Sequence, residues 1–218
     1  MYGKLRSQKN YSRHPGFLYR VYKALGFSSK AHSTKKKRKS QKYYTPESLG
    51  MKWQLDVRYV RRVCYVGGMP DKFYQYTMID EASRERFIYP YREQISYSTI
   101  YFVKRVIAYF GYKPKIIQTD NGFEFTYPRD CSRVHPFDHF CESIGIDHKL
   151  IRPRTPWHNG KVERSHRNDQ ERFYNFLSFY SFKDLKEQMY RYMRRSNRIP
   201  MAVLGWISPI ERRSQLEP

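Results

Sequence analysis

A chain of 218 residues is long enough for one well-buried core plus an appendage, and 39% hydrophobic residues with 17% aromatics exclude wholesale disorder. Its 42 Lys and Arg against 20 Asp and Glu leave a net charge of +22, a self-repulsion that calls for a polyanion: nucleic acid first, an anionic membrane surface as the alternative. No apolar run approaches the ~18 residues of a spanning helix, no signal peptide is visible, and Cys64, Cys131 and Cys141 make no disulfide framework, so a reducing, cytoplasmic setting is expected.

Before Pro46 there are 13 Lys and Arg and no acid, so residues 1–45 read as a basic arm. Within it, residues 11–27 place Leu18, Val21, Tyr22 and Leu25 on one helical face, with Gly26 as a stop. The run Lys35, Lys36, Lys37, Arg38, Lys39 must be solvated or lie on phosphate. The body, 46–180, opens with KWQLDVRYV, where Trp53, Leu55, Val57 and Tyr59 alternate with Lys52, Gln54, Asp56 and Arg58. That alternation predicts a strand with one buried face and Asp56 on the other. KFYQYTMID and RERFIYPY add two strands in an antiparallel meander. Helical spacing of Ile100, Val103, Ile107 and Phe110 predicts a helix ending at Gly111. Next come a strand, KIIQTD, ending at Asp120, a helix over 137–144, a strand in DHKLI and a loop, RPRTPWHNG. A long helix begins near Lys161, and Ser181 with Asp184 caps another over 182–196 in a helical extension, 181–218. The order predicts an α/β fold, a mixed sheet flanked by helices.

Three carboxylates stand out by placement. Asp56 is mid-strand, Asp120 ends a strand, and Glu163 lies one turn into a helix after a loop. If they converge, their repulsion is unfavourable until a hard divalent cation, Mg2+ or Mn2+, turns it into a site. Two such ions about 3.5–4 Å apart suit in-line phosphoryl transfer and need no protein nucleophile. Each residue also has a plainer role: Asp56 on a solvated face, Asp120 in an Asp-Asn-Gly turn, Glu163 paired with Arg167. Cys131, His135, His139 and Cys141 could ligate zinc, but the spacing departs from finger patterns and Pro136 interrupts it, which favours an insertion packed on a helix.

The strings WQLDVRYV, YQYTMIDEASRERF, IIQTDNGFEFT and RPRTPWHNGKVERSHRNDQERFY, in that order, resemble the DDE-type integrase catalytic core of bacterial insertion-sequence transposases. The resemblance runs from about Lys52 to LGWISPIE, where Leu204, Gly205 and Pro209 match a closing signature. It implies an RNase H-like fold, Asp56, Asp120 and Glu163 as the catalytic and metal-binding triad, and two Mg2+ or Mn2+ ions. It further implies cleavage and transfer of double-stranded DNA, element ends and target, by a homo-oligomer with no membrane association. Asn121 and Gly122 would shape the rim beside Asp120. Trp157, His158 and Asn159 would lie where DNA nears the scissile phosphate, and Arg164, His166 and Arg167 are candidate phosphate contacts, although a solvated basic face explains them almost as well. Two features depart from the pattern. YPRDCSRVHPF lengthens the interval between Asp120 and Glu163, and the stretch before the core holds only a remnant of the family's helix-turn-helix region. A catalytically incompetent, truncated DNA-binding remnant is therefore the alternative reading.

Overall fold

The computed structural model of the protein describes residues 2–27, 44–67, 72–128, 131–152 and 156–217, so the basic run from Lys35 to Lys39 lies outside the described residues. Five strands form one mixed sheet: β1 (Lys52–Tyr59), β2 (Tyr74–Asp80), β3 (Arg86–Tyr91), β4 (Ile116–Thr119) and β5 (Asp147–Leu150), in the order β3-β2-β1-β4-β5. The expected meander β1, β2, β3 is antiparallel, while β4 pairs parallel to β1 and β5 parallel to β4. Parallel neighbours need a crossover. A helix at Ser96–Phe110 supplies the first, and one at Pro136–Ser143 supplies the second. Pro90, which has no N–H to give a ladder, sits in the edge strand β3, where a sheet tolerates it. The opposite edge, β5, has four residues, and its Asp147 and Lys149 are exposed and paired at 3.0 Å.

In chain order the helices among the described residues are α1 (Tyr2–Lys9), α2 (Pro15–Ala24), α3 (Ser96–Phe110), α4 (Pro136–Ser143), α5 (Gly160–Asp169), α6 (Phe182–Ser196) and α7 (Pro209–Leu216). On one face of the sheet Trp53, Leu55, Tyr76 and Met78 meet Phe102, Val103, Val106 and Phe110 of α3 and Phe137 and Cys141 of α4, all essentially inaccessible. Gly111 ends α3 as expected, at φ +78, donating its N–H to Ile107 O. The other face carries α5, which runs on through a π turn, Gln170–Tyr174, into a second apolar cluster with Phe179, Leu185, Met189 and Met193. Asp80, fully buried at the end of β2, accepts from the backbone N–H of Gly50, Ala82 and Ser83 and from Trp53 Nε1, so this acid belongs to the framework.

Ser181 caps α6 as expected, accepting from Asp184 N. A helix after it, α7, starts with a full capping box: Ser208 Oγ accepts from Glu211 N, and Glu211 Oε2 accepts from Ser208 N at 2.7 Å. Arg213 of α7 then donates to Phe110 O at 2.7 Å, tying the extension to α3. Ser208→Ala should cost about 1 kcal/mol, read as a fall of roughly 2–4 °C in Tm.

Two places differ from the sequence expectation. The stretch Pro156–Asn159, expected as loop, is a 3-10 turn leading straight into α5, because side chains of the sheet hold its backbone. Ahead of the expected helix α2, residues Tyr2–Lys9 form α1, whose Tyr2 ring packs edge-on against Trp206 at 4.5 Å. A ring contact more than two hundred positions away along the chain leaves no local periodicity to read.

Candidate active site

Alternation along β1 places Gln54, Asp56 and Arg58 together beneath α5. Parallel pairing sets Gln54 opposite Gln118 on β4, and Asp56 and Asp120 each follow two residues later in their chains. Asp120 follows the last residue of β4, and its Oδ1 accepts from Gly122 N at 3.0 Å. Asn121 Nδ2 donates to Ile151 O at 3.1 Å, so the Asp-Asn-Gly turn is tied to the strand end beside it. Glu163 stands exposed in the first turn of α5.

The three carboxylates share one electrostatic field. Burial pushes the Asp56 carboxyl up to about 8, aided by the charges of Asp120, Glu163 and Glu124 and opposed by the hydrogen bond from Val57 N. Partial burial and then Asp120 push Glu163 up as well. Among the described residues no three His, Cys, Asp or Glu side chains converge tightly enough to share one ion as they stand. The donor set is nevertheless all hard carboxylate oxygen, and a carboxyl so resistant to ionising is one that a divalent cation would relieve.

Asn159 is buried, with Nδ2 donating to Leu55 O at 3.2 Å and Oδ1 without a partner. His158 offers its carbonyl to Gln54 and Gln118, at 3.2 and 2.8 Å. The side chain of Trp157 lies outside what the structure describes. His166 faces inward: Nδ1 is 3.4 Å from Asp56 Oδ2, Nε2 is 3.1 Å from Thr77 Oγ1, and burial lowers its pKa to about 4, leaving it neutral. Arg164 and Arg167 are exposed on the outer face of α5.

Three groups were not singled out from the sequence. Glu124 is a fourth carboxyl, 5% exposed, pushed up by burial and held by Gln94 Nε2 at 2.6 Å. Gln54 and Gln118 hold the turn before α5, and the signal was present: each strand reads Gln-x-Asp, WQLD and IQTD. The four-residue zinc alternative dissolves. His135 caps α4 through Nδ1, which accepts from Phe137 N at 3.2 Å, while Cys141 is buried in the core with its thiol pushed up to about 12.

Comparison with known proteins agrees with this geometry. Residues 47–156 match a family model described as an integrase core domain, and residues 144–209 match a second model of the same description. A retrovirus-related Pol polyprotein from transposon TNT 1-94 of Nicotiana tabacum is 35% identical over 106 residues, 48% of this chain and 8% of that protein. An ORF3 product of Spiroplasma virus SpV1-C74, provisionally named an integrase, is 31% identical over 140 residues, 60% of this chain and 38% of that one. The chain therefore spans 38% or less of the length of these curated relatives. In fold it is similar to a chain of the simian T-cell lymphotropic virus intasome solved with PP2A regulatory subunit B56 gamma: TM-score 0.60, 18% identity, 99% of this chain and 76% of that chain. It is also similar to the HTLV-2 integrase catalytic core domain solved in complex with magnesium: TM-score 0.55, 19% identity, 76% of this chain and 97% of that chain. The architecture is the RNase H-like one that the motifs implied. With motif order, sheet topology and matched span in agreement, the chain belongs to the integrase core domain family.

Proposed function

We propose that this protein is a DDE-type transposase or integrase that cleaves DNA strands at element ends and joins them to target DNA. One observation supports the reading most: β1 pairs parallel to β4 with Gln54 opposite Gln118, so Asp56 and Asp120 each follow two residues after a paired position, and the charge of Glu163 bears on Asp56 as that of Asp120 bears on Glu163. Asp56 and Asp120 would hold one Mg2+ or Mn2+ and Glu163 a second. Such ions supply charge stabilisation to both oxygens of an in-line displacement at phosphorus. The protein's own groups do the rest. β1 and β4 fix the spacing of the two aspartates, and the buried, neutral His166 closes the floor behind Asp56. Arg164 and Arg167 present cationic groups on the outer face of α5, where a phosphodiester backbone would pass. Residues 1–45, 46–180 and 181–218 would then serve as basic arm, catalytic core and helical extension, with Lys35 to Lys39 on DNA phosphate. Holding two DNA ends calls for a homo-oligomer. A bacterial insertion-sequence setting in the cytoplasm rests on the motif resemblance alone; among the described residues no helix is long and apolar enough to cross a membrane.

The test is a nicking assay on labelled end-sequence duplexes with Mg2+. Wild type should nick and Glu163→Gln should not, while both bind DNA with the same salt dependence. Equal nicking by the variant would sink the site assignment. Absence of nicking by both, on the cognate end, would favour a DNA-binding remnant.

A further inference from the structure

We propose that Gln54 and Gln118 form a clamp that fixes Glu163 relative to Asp56 and Asp120, and so sets how tightly the three carboxylates take a divalent cation. This rests on the reading of those carboxylates as the metal site. A residue two positions before another on a strand points to the same face, so Gln54 accompanies Asp56 and Gln118 accompanies Asp120. Parallel pairing brings the glutamines side by side, and each aspartate follows its glutamine by two residues.

Both amides then converge on one carbonyl. Gln54 Nε2 and Gln118 Nε2 donate to His158 O at 3.2 and 2.8 Å. Gln54 also turns its Oε1 to the start of α5, accepting from Lys161 N at 3.1 Å and Val162 N at 3.2 Å. Those are two of the N–H groups that a helix leaves without intrahelical partners, so Gln54 caps α5 from outside the chain segment. Its second amide hydrogen goes to Glu81 Oε1 at 2.7 Å, which leaves this side chain, 1% exposed, fully satisfied. The next residue after Val162 is Glu163. Farther along the helix Arg58, two residues past Asp56, donates to His166 O at 2.8 Å and to Gln170 Oε1 at 2.9 Å. Helix α5 is thus held on both sides of Asp56 by the strand that carries it. Glu163 itself is exposed and makes no ion pair among the described residues, so its placement depends on where the helix starts.

Among the described residues the glutamines bond none of Asp56, Asp120 and Glu163; they act as positioning residues through α5. The loss expected from disturbing such supporting contacts is about 10–100-fold in metal affinity. The full chain, free of DNA, would be titrated with Mn2+ alone and followed by electron paramagnetic resonance, with a melt in chelator beside it. Gln118→Leu should weaken Mn2+ binding about 10-fold and shift the chelator Tm by only a few degrees. In a Glu163→Gln background the same change should have no further effect on Mn2+, because the group it positions is gone. Equal weakening in both backgrounds, or none in either, overturns the clamp. If Gln118→Leu folds poorly, Gln118→Asn draws the amide back by one methylene and carries the same comparison. Glu163→Gln alone leaving Mn2+ affinity unchanged would instead overturn the metal-site reading, a result separable from failure of the clamp.

Discussion

Replacing Asp56 with asparagine should abolish strand cleavage while raising the melting temperature of the metal-free protein. On the proposed reading, the first effect follows from losing a carboxylate that would hold a divalent cation at the reacting phosphate, and a fall of about 10³-fold or more is the expected scale. The second follows from the cost of keeping this carboxylate where it is. Burial, and after it Asp120, Glu163 and Glu124, push its carboxyl from the ordinary 3.8 up to about 8. The sign is set by which state holds the proton. Above about pH 4 the unfolded chain sheds a proton that the folded protein keeps, so folded stability falls as pH rises and levels off above about 8. Asparagine has no such proton, so the advantage of the variant grows across that window. About 1 kcal/mol would already lift Tm by roughly 2–4 °C in a chain of this size. Paired nicking assays and melts in chelator at pH 5 and pH 8.5 check both halves. A variant that nicks like wild type, or melts lower than wild type at pH 8.5, would refute the assignment.

The largest stability effect is expected at Arg86. Its Nη1 lies 2.6 Å from Asp169 Oδ1, and the side chains are 8% and 0% exposed. Arg86 also bonds Ser165 Oγ and Ser196 Oγ and lies over the Tyr192 ring, joining β3 to both α5 and α6. Asp169 in turn accepts from Gln75 Nε2 at 2.8 Å and Tyr192 OH at 2.9 Å. Burial alone would push this carboxyl up; Arg86 and the bond from Gln75 more than offset that and leave it below the usual range. Arg86→Ala strands the carboxylate in a dry site, at a cost of about 3–5 kcal/mol. Melts should therefore drop by roughly 10 °C. Exchanging both partners for apolar residues should recover much of the loss, since the pair itself is worth less than either charge left alone. A drop under about 3 °C for Arg86→Ala would show that the network is not the anchor of α5.

Why some of this was legible and some was not comes down to the range of the interactions. Trp53-Gln54-Leu55-Asp56 announces a strand because its period is two, and Gly111 and Ser181 announce helix ends because caps are local chemistry. Asp120 was placed at a strand end by the same local logic. Arg86 and Asp169 are 83 positions apart, and no periodicity links them. In sequence, His166 stands with Arg164 and Arg167 as a candidate phosphate contact, a solvated basic face being the alternative. The turn of the helix instead carries it inward to Thr77 and Asp56. Two acids of the MIDEASRERF string, Asp80 and Glu81, look no less catalytic than Asp56 in one dimension. Only the bonds to Gly50, Trp53, Gln54 and Lys161 show that they serve the framework.

The two margins of the sheet bear on how copies of this chain can gather. An open strand margin is a template for unlimited stacking of one sheet on the next, a hazard for any protein crowded along DNA. Here Pro90 interrupts the donors of β3, and β5 is four residues long with an exposed Asp147–Lys149 pair. Neither margin invites another strand. Were copies of this chain to assemble as proposed, their contacts would fall on helical faces, where shape and charge limit the number of partners, rather than on backbone pairing, which has no natural end.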